Sequence, residues 1–154
     1  MTSDLPDVNV LVALHVNGHP HRHLAQAWFD QATSVATTPM TQAGLLRMLL
    51  NPTINAHPDP ASARQALSAL LAAPGVVVWP DDTRDVGGTP FMYALTGHEQ
   101  VTDLHLLALA ASHGAQLVTL DARIDAALRP KDRKHLRVLR ELSPARRDTK
   151  PTLA

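Results

Sequence analysis

Val101-Thr102-Asp103-Leu104-His105-Leu106-Leu107-Ala108-Leu109-Ala110-Ala111-Ser112-His113-Gly114-Ala115-Gln116-Leu117-Val118-Thr119-Leu120-Asp121 is the stretch that decides the fold. Thr102 begins an apolar helix, and Gly114 is well placed to end it, because a residue without Cβ suits the left-handed turn after a helix. Gln116–Leu120 then reads as a buried strand, with Asp121 directly behind it. The apolar run Leu104–Ala111 is far shorter than the ~20 residues a membrane span needs. Helix, one-glycine turn, strand and acid make a unit of an α/β domain.

The same alternation extends in both directions. Leu5–Leu14 begins as a strand and passes into a helix. Leu24, Ala27, Trp28 and Ala32 repeat at helical spacing, and Ser34–Thr37 is a short strand. Thr38-Pro39 gives a cap followed by a first-turn proline, and Asn51-Pro52 closes that helix. Asp59-Pro60 opens another, striped by Leu67, Leu70 and Leu71. Val76–Trp79 is a strand, Thr89-Pro90 starts a short helix, Ala122–Leu128 gives a helical turn or two, and Leu136–Leu142 alternates like a last strand. Strands alternating with helices predict an α/β fold, a mostly parallel central sheet flanked by helices. In such sheets sites lie outside the carboxyl ends of the strands, so the residues just after each apolar run are the ones to inspect.

With 154 residues the chain reads as one domain over residues 1–142, and the Pro- and charge-rich segment 143–154 reads as a loose tail. Aromatics are few, so Leu, Val and Ala must fill the core. The absence of cysteine excludes a disulfide framework and thiolate metal sites. No basic, apolar leader opens the chain, and a cytoplasmic location is expected. The formal net charge of zero hides an asymmetry: residues 1–122 carry four basic against ten acidic residues, and residues 123–154 carry ten basic against four acidic. Acids to hold metals and bases to hold phosphates suit a hydrolase of a polyanion. The plainer reading of the second half is a solvated basic tail.

Three acids stand at element boundaries: Asp7 after the first apolar run, Asp103 at the head of the helix, and Asp121 after the strand. Magnesium binds through oxygen, with one or two carboxylates completed by water and phosphate, so converging aspartates make a phosphodiesterase centre. Taken singly, an Asp at a helix start is more often an N-cap, and Asp103 alone would read that way.

Asp7-Val8-Asn9-Val10-Leu11-Val12-Ala13-Leu14 resembles the opening motif of PIN-domain nucleases of the VapC type, the toxins of VapBC toxin–antitoxin pairs. Thr102–Ala110, His113-Gly114-Ala115 and Leu117–Asp121 are similar to that family's third and fourth acidic segments, and Thr38–Arg47 with Asn51-Pro52 is similar to its second. Each segment is weak alone, but four in order and spacing, from about Leu5 to about Leu142, are specific. The resemblance implies a PIN-like three-layer sandwich and a Mg²⁺-dependent endoribonuclease (Mn²⁺ substituting) that hydrolyses RNA with metal-activated water. By it Asp7 and Asp103 are metal ligands and Asp121 a further or outer ligand, the three forming the catalytic set. Asn9 orients Asp7 or nearby backbone, and Thr119 brings a hydroxyl to the site or is simply a strand residue. The implied partners are RNA, a cognate antitoxin whose cation enters the acidic pocket, and a second copy in a homodimer.

One position departs from the family. Its second acid is commonly Glu, and here Gln42 stands there, on the helical face of Leu45, Leu46, Leu49 and Leu50 that points inward. Carboxylates about 5 Å apart repel by roughly 3 kcal/mol per pair at an effective dielectric near 20, so a neutral amide relieves strain but attracts metal less. A PIN-fold module that binds RNA or antitoxin and cleaves poorly is the alternative function.

Other features carry less. His19, His21 and His23 lie in a loop without a completing ligand. Asp81, Asp82 and Asp85 read as helix caps rather than site members, and His105 as a core or surface residue pointing away from Asp103. The cluster Arg129, Lys131, Arg133, Lys134, Arg137 and Arg140 fits a phosphate track or a charged edge equally. No phosphate-binding glycine loop is present. A phospho-acceptor domain would want a Lys near its last strands, and the first Lys is Lys131, outside any strand.

Overall fold

A computed structural model describes residues 3–82 and 85–142. The expected tail 143–154 lies outside the described residues. Five strands, β1 (Asp4–Pro6), β2 (Val35–Thr37), β3 (Val76–Val78), β4 (Gln116–Thr119) and β5 (Leu136–Val138), form one sheet in the order β3-β2-β1-β4-β5. Every pairing is parallel, which sharpens the expected "mostly parallel" sheet. The helices are α1 (Val8–His15), α2 (Arg22–Gln31), α3 (Pro39–Leu49), α4 (Pro60–Ala72), α5 (Val101–Ser112) and α6 (Ala122–Ala127). No helix among the described residues is long and apolar enough to cross a membrane.

Strand residues alternate between two cores, as a period of two requires. Leu5, Ala36 and Leu117 face α5 and α6, meeting Leu104, Leu107 and Ile124. Val35 and Val118 face the other way, into Val10, Leu11, Leu14, Trp28, Leu45 and Leu70 of α1–α4. The result is the expected three-layer sandwich. The chain winds outward from β1 through β2 to β3, then crosses back to β4 and β5. The change of direction falls between β1 and β4, which makes the crevice at their carboxyl ends the natural site of this sheet.

Local signals set the boundaries. Thr38 caps α3 by accepting from Thr41 N (3.2 Å) while Thr41 Oγ1 accepts from Thr38 N (2.9 Å), with Pro39 at the first helical position. Asp59 accepts from Ser62 N (2.9 Å) to cap α4. Gly114 closes α5 at φ 64°, with Gly114 N donating to Ala111 O (3.0 Å) and Ala115 N to Ala110 O (2.9 Å), the paired bonds of a Schellman ending.

Several expected elements differ in extent. The last strand stops at Val138 rather than reaching Leu142, because its ladder with β4 ends where β4 ends, at Thr119. The Thr89-Pro90 signal yields only a 3-10 turn, Met92–Ala94. The helix expected from Thr102 begins at Val101, entered from a 3-10 turn at His98–Gln100, so Gln100 takes the cap position and Asp103 lies in the first turn.

Candidate active site

Asp7 leaves β1 and immediately caps α1. Its Oδ1 accepts from Val10 N (2.8 Å) and its Oδ2 from Thr119 Oγ1 (2.6 Å), while its own N donates to Val118 O (2.9 Å). These bonds fix both carboxylate oxygens of a residue only 2% exposed. Burial pushes its carboxyl up to about 6; the Thr119 hydroxyl and the Val10 and Asn9 backbone N–H groups oppose the rise, and the Asp121 charge adds to it.

Thr119 is therefore neither free toward substrate nor a plain strand residue. Fully buried at the end of β4, it donates to Asp7 and accepts from Asp121 N (3.0 Å), linking two of the three acids. Asn9 contributes through its backbone N–H; its side chain is exposed. Gln42 is half-buried, and its Nε2 donates to Thr37 Oγ1 (3.1 Å) at the end of β2. Among the described residues that is its bond, and no contact ties it to an aspartate.

Asp103 is not an N-cap. Among the described residues its carboxylate makes no hydrogen bond, and it is pushed up to about 7, first by burial, then by the charges of Asp7 and Asp121, with Arg123 pulling the other way. Asp121 caps the short α6 by accepting from Arg123 N (2.9 Å). The Arg123 side chain grips the same carboxylate, with Nε 3.0 Å from each oxygen and Nη2 2.7 Å from Oδ2, and its Nη1 reaches Glu99 Oε2 at 3.0 Å. That grip holds Asp121 below the ordinary carboxylate range. The three acids thus act on one another electrostatically: the carboxyls of buried Asp7 and half-buried Asp103 are raised, and that of Asp121 is paired with Arg123 inside the chain.

Sequence reasoning missed Arg123 and Glu99. The signal was present, an Arg two residues behind a capping Asp, but Arg123 had been grouped with the basic half of the chain. It also missed a buried pair. His105 is 2% exposed and its Nε2 lies 2.8 Å from Asp81 Oδ1. Asp81 is thus held to α5 at His105, two residues from Asp103, instead of capping a helix. Asp85 accepts from Gly87 N (2.9 Å) in a turn. His23 pairs with Glu141. Within the basic cluster Arg140 and Arg133 lean on Asp125 (3.1 and 3.7 Å), Arg137 on Asp4 (3.6 Å), and Arg129 covers the Tyr93 ring.

The donor set fits a hard divalent cation. All three side chains offer oxygen only, and the raised Asp7 and Asp103 carboxyls mark an excess of buried negative charge that a cation would relieve. Asp103 lies within electrostatic reach of both Asp7 and Asp121. Among the described residues no three His, Cys, Asp or Glu side chains are grouped closely enough to hold a metal ion.

The descriptive model of the PIN domain matches residues 5–129. The chain belongs to the PIN-domain family. Within it the chain is similar to Ribonuclease VapC39 of Mycobacterium tuberculosis, 44% identical over 124 residues that cover 78% of this chain and 89% of that protein. It is similar also to Ribonuclease VapC29 of the same organism, 40% identical over 119 residues, covering 77% and 85%. Among solved structures it shares its fold with M. tuberculosis VapC20, described as a sarcin-ricin loop cleaving toxin, at a TM-score of 0.59 and 18% identity over 81% of this chain and 95% of that one. In the structure Asp7 follows β1, Asp103 lies in the first turn of α5 and Asp121 follows β4.

Proposed function

We propose that this PIN domain is a Mg²⁺-dependent endoribonuclease, Mn²⁺ substituting, and the toxic component of a type II toxin–antitoxin module acting in the cytoplasm. The observation that carries the reading is the pair Asp7, buried, and Asp103, half-buried, whose carboxyls are raised first by burial and then by neighbouring acids, Asp121 for Asp7 and both Asp7 and Asp121 for Asp103, beside the β1/β4 switch point. Relatives that cover most of the chain and are named ribonucleases support it. Asp7 and Asp103 hold the cation, which supplies the Lewis-acid charge that hydrolysis of a phosphodiester by water requires. Thr119 locks the rotamer of Asp7 through its 2.6 Å bond.

In this reading a cognate antitoxin inhibits by inserting a basic side chain among the aspartates, and the toxin works as a homodimer. Cleavage of a mixed RNA pool that stops with EDTA, returns with Mg²⁺ and is suppressed by a partner with a basic segment is the expected result. Cleavage that persists in EDTA would sink the metal assignment.

One observation favours the second reading, a PIN-fold binding module with weakened chemistry: the amide of Gln42 is committed to Thr37 rather than to the acids. Gln42→Glu decides between them. It should tighten Mn²⁺ in titration calorimetry if the position borders the site, and RNA binding without cleavage by the wild-type chain would establish the second reading.

A further inference from the structure

Arg123 is more constrained than its position requires. Its side chain is 66% exposed and buries no core, yet it is held at four points, three on Asp121 and one on Glu99. Exposed ion pairs contribute little to stability, so the fold gains little from this arrangement. Its chemical consequence is larger. The guanidinium fork covers both oxygens of Asp121, the same atoms a divalent cation would need, and an Arg fork matches a carboxylate in a way a Lys point charge does not. Asp7 and Asp103 have no such partner among the described residues. Glu99 sits behind the fork at 3.0 Å and fixes it from the far side. The third acid of the site is therefore turned to an internal cation, in keeping with the lack, among the described residues, of any trio of ligating side chains.

We propose that Arg123 is a resident counter-ion that withholds Asp121 from metal coordination, so that the site binds a single divalent cation on Asp7 and Asp103. Glu99 anchors the guanidinium in that position. The inference rests on the metal site proposed above. Its core is a competition: a cation that recruits Asp121 must first break the Arg123 fork. Arg123 does within the chain what an inhibitory cation from a partner would do across an interface.

Mn²⁺ titration calorimetry on the metal-free, full-length chain tests this by a double-mutant cycle. Arg123→Gln is expected to tighten Mn²⁺ by about tenfold, Asp121→Asn alone to change it by less than about threefold, and Asp121→Asn in the Arg123→Gln background to remove the gain. Arg123→Lys, which keeps the charge but not the fork, is expected to fall between wild type and Arg123→Gln. Additive effects, or an Arg123→Gln affinity at or below that of wild type, would overturn the proposal. So would an Arg123→Lys affinity equal to wild type, since charge alone would then account for the effect. Asp103→Asn distinguishes the failure of the underlying site: loss of Mn²⁺ binding in every background upholds it, and retained binding removes the site and the inference together.

Discussion

Asp7 and Asp103 carry the same chemistry in different structural settings. Asp7 is buried, accepts from Val10 N and Thr119 Oγ1 and starts α1, whereas Asp103 is half-buried, feels the charges of two other acids and accepts nothing among the described residues. Neutralising each should abolish RNA cleavage, but stability should separate them. Asp103→Asn removes a disfavoured buried charge and is expected to stabilise the metal-free chain by about 1–3 kcal/mol at pH 8. Asp7→Asn retains a capping oxygen but forces the Thr119 hydroxyl to reorient, so its change should stay within about 1 kcal/mol. Urea denaturation of the two variants beside an RNA cleavage assay measures both claims. Equal stabilisation by the two would mean that the bonds to Asp7 do not hold its charge.

Pro6 explains why β1, central in the sheet, joins its neighbours unequally. Asp4 N donates to Ser34 O, ahead of β2, and Asp7 N to Val118 O in β4, so alternate N–H groups point to opposite sides and that of residue 6 would point to β2. Proline has none. The β1–β2 register holds one Cα pair, Asp4↔Val35, against three between β1 and β4. The sheet is therefore tight on the side that aligns Asp7 with Thr119. Behind it α1 and α3 approach closely at Gly44, where an added Cβ would lie 2.5 Å from Val8 Cγ2. Gly44→Ala should cost about 1–3 kcal/mol and slow cleavage, because Val8 adjoins Asp7. A variant as stable and active as wild type would show that the helices slide apart freely.

At this scale the sequence was most legible. Periodicity, the Thr38-Pro39 and Asp59-Pro60 starts and the Gly114 stop located α3, α4 and α5, and the acids after β1 and β4 followed from the parallel sheet. What stayed hidden depended on contacts across the fold. Arg123 meeting Glu99 spans 24 residues, as does His105 meeting Asp81, and neither spacing leaves a local trace. The cap position of α5 went to Gln100 because a 3-10 turn, which has no strong sequence signature, precedes it.

For the molecule as a whole, the two raised carboxyls predict how stability depends on pH. Their folded pKa values, about 6 and about 7, lie above the ordinary aspartate value of 3.8. Between about pH 4 and pH 7 the folded chain thus holds protons that the unfolded chain has released, and stability falls as pH rises through that window. The melting temperature of the metal-free chain should drop from pH 5 to pH 8, and Asp103→Asn should flatten the drop. Comparison with that variant removes the contribution of the nine histidines. Magnesium affinity should run the opposite way, rising over the same range as the protons leave. The two-core architecture has an optical consequence as well. The chain has two tryptophans, and each core holds one: Trp28 packs with α1–α4 and donates its indole N–H to Asp4 (2.8 Å), while Trp79 packs toward α5 and stacks on the His113 ring at 3.9 Å. Trp28→Phe and Trp79→Phe each leave a single fluorophore in one layer. Because neighbouring residues of β4, Leu117 and Val118, serve opposite layers, the two emission curves should fall together in denaturant as one cooperative transition. Curves that part would show that one layer melts while the other still glows.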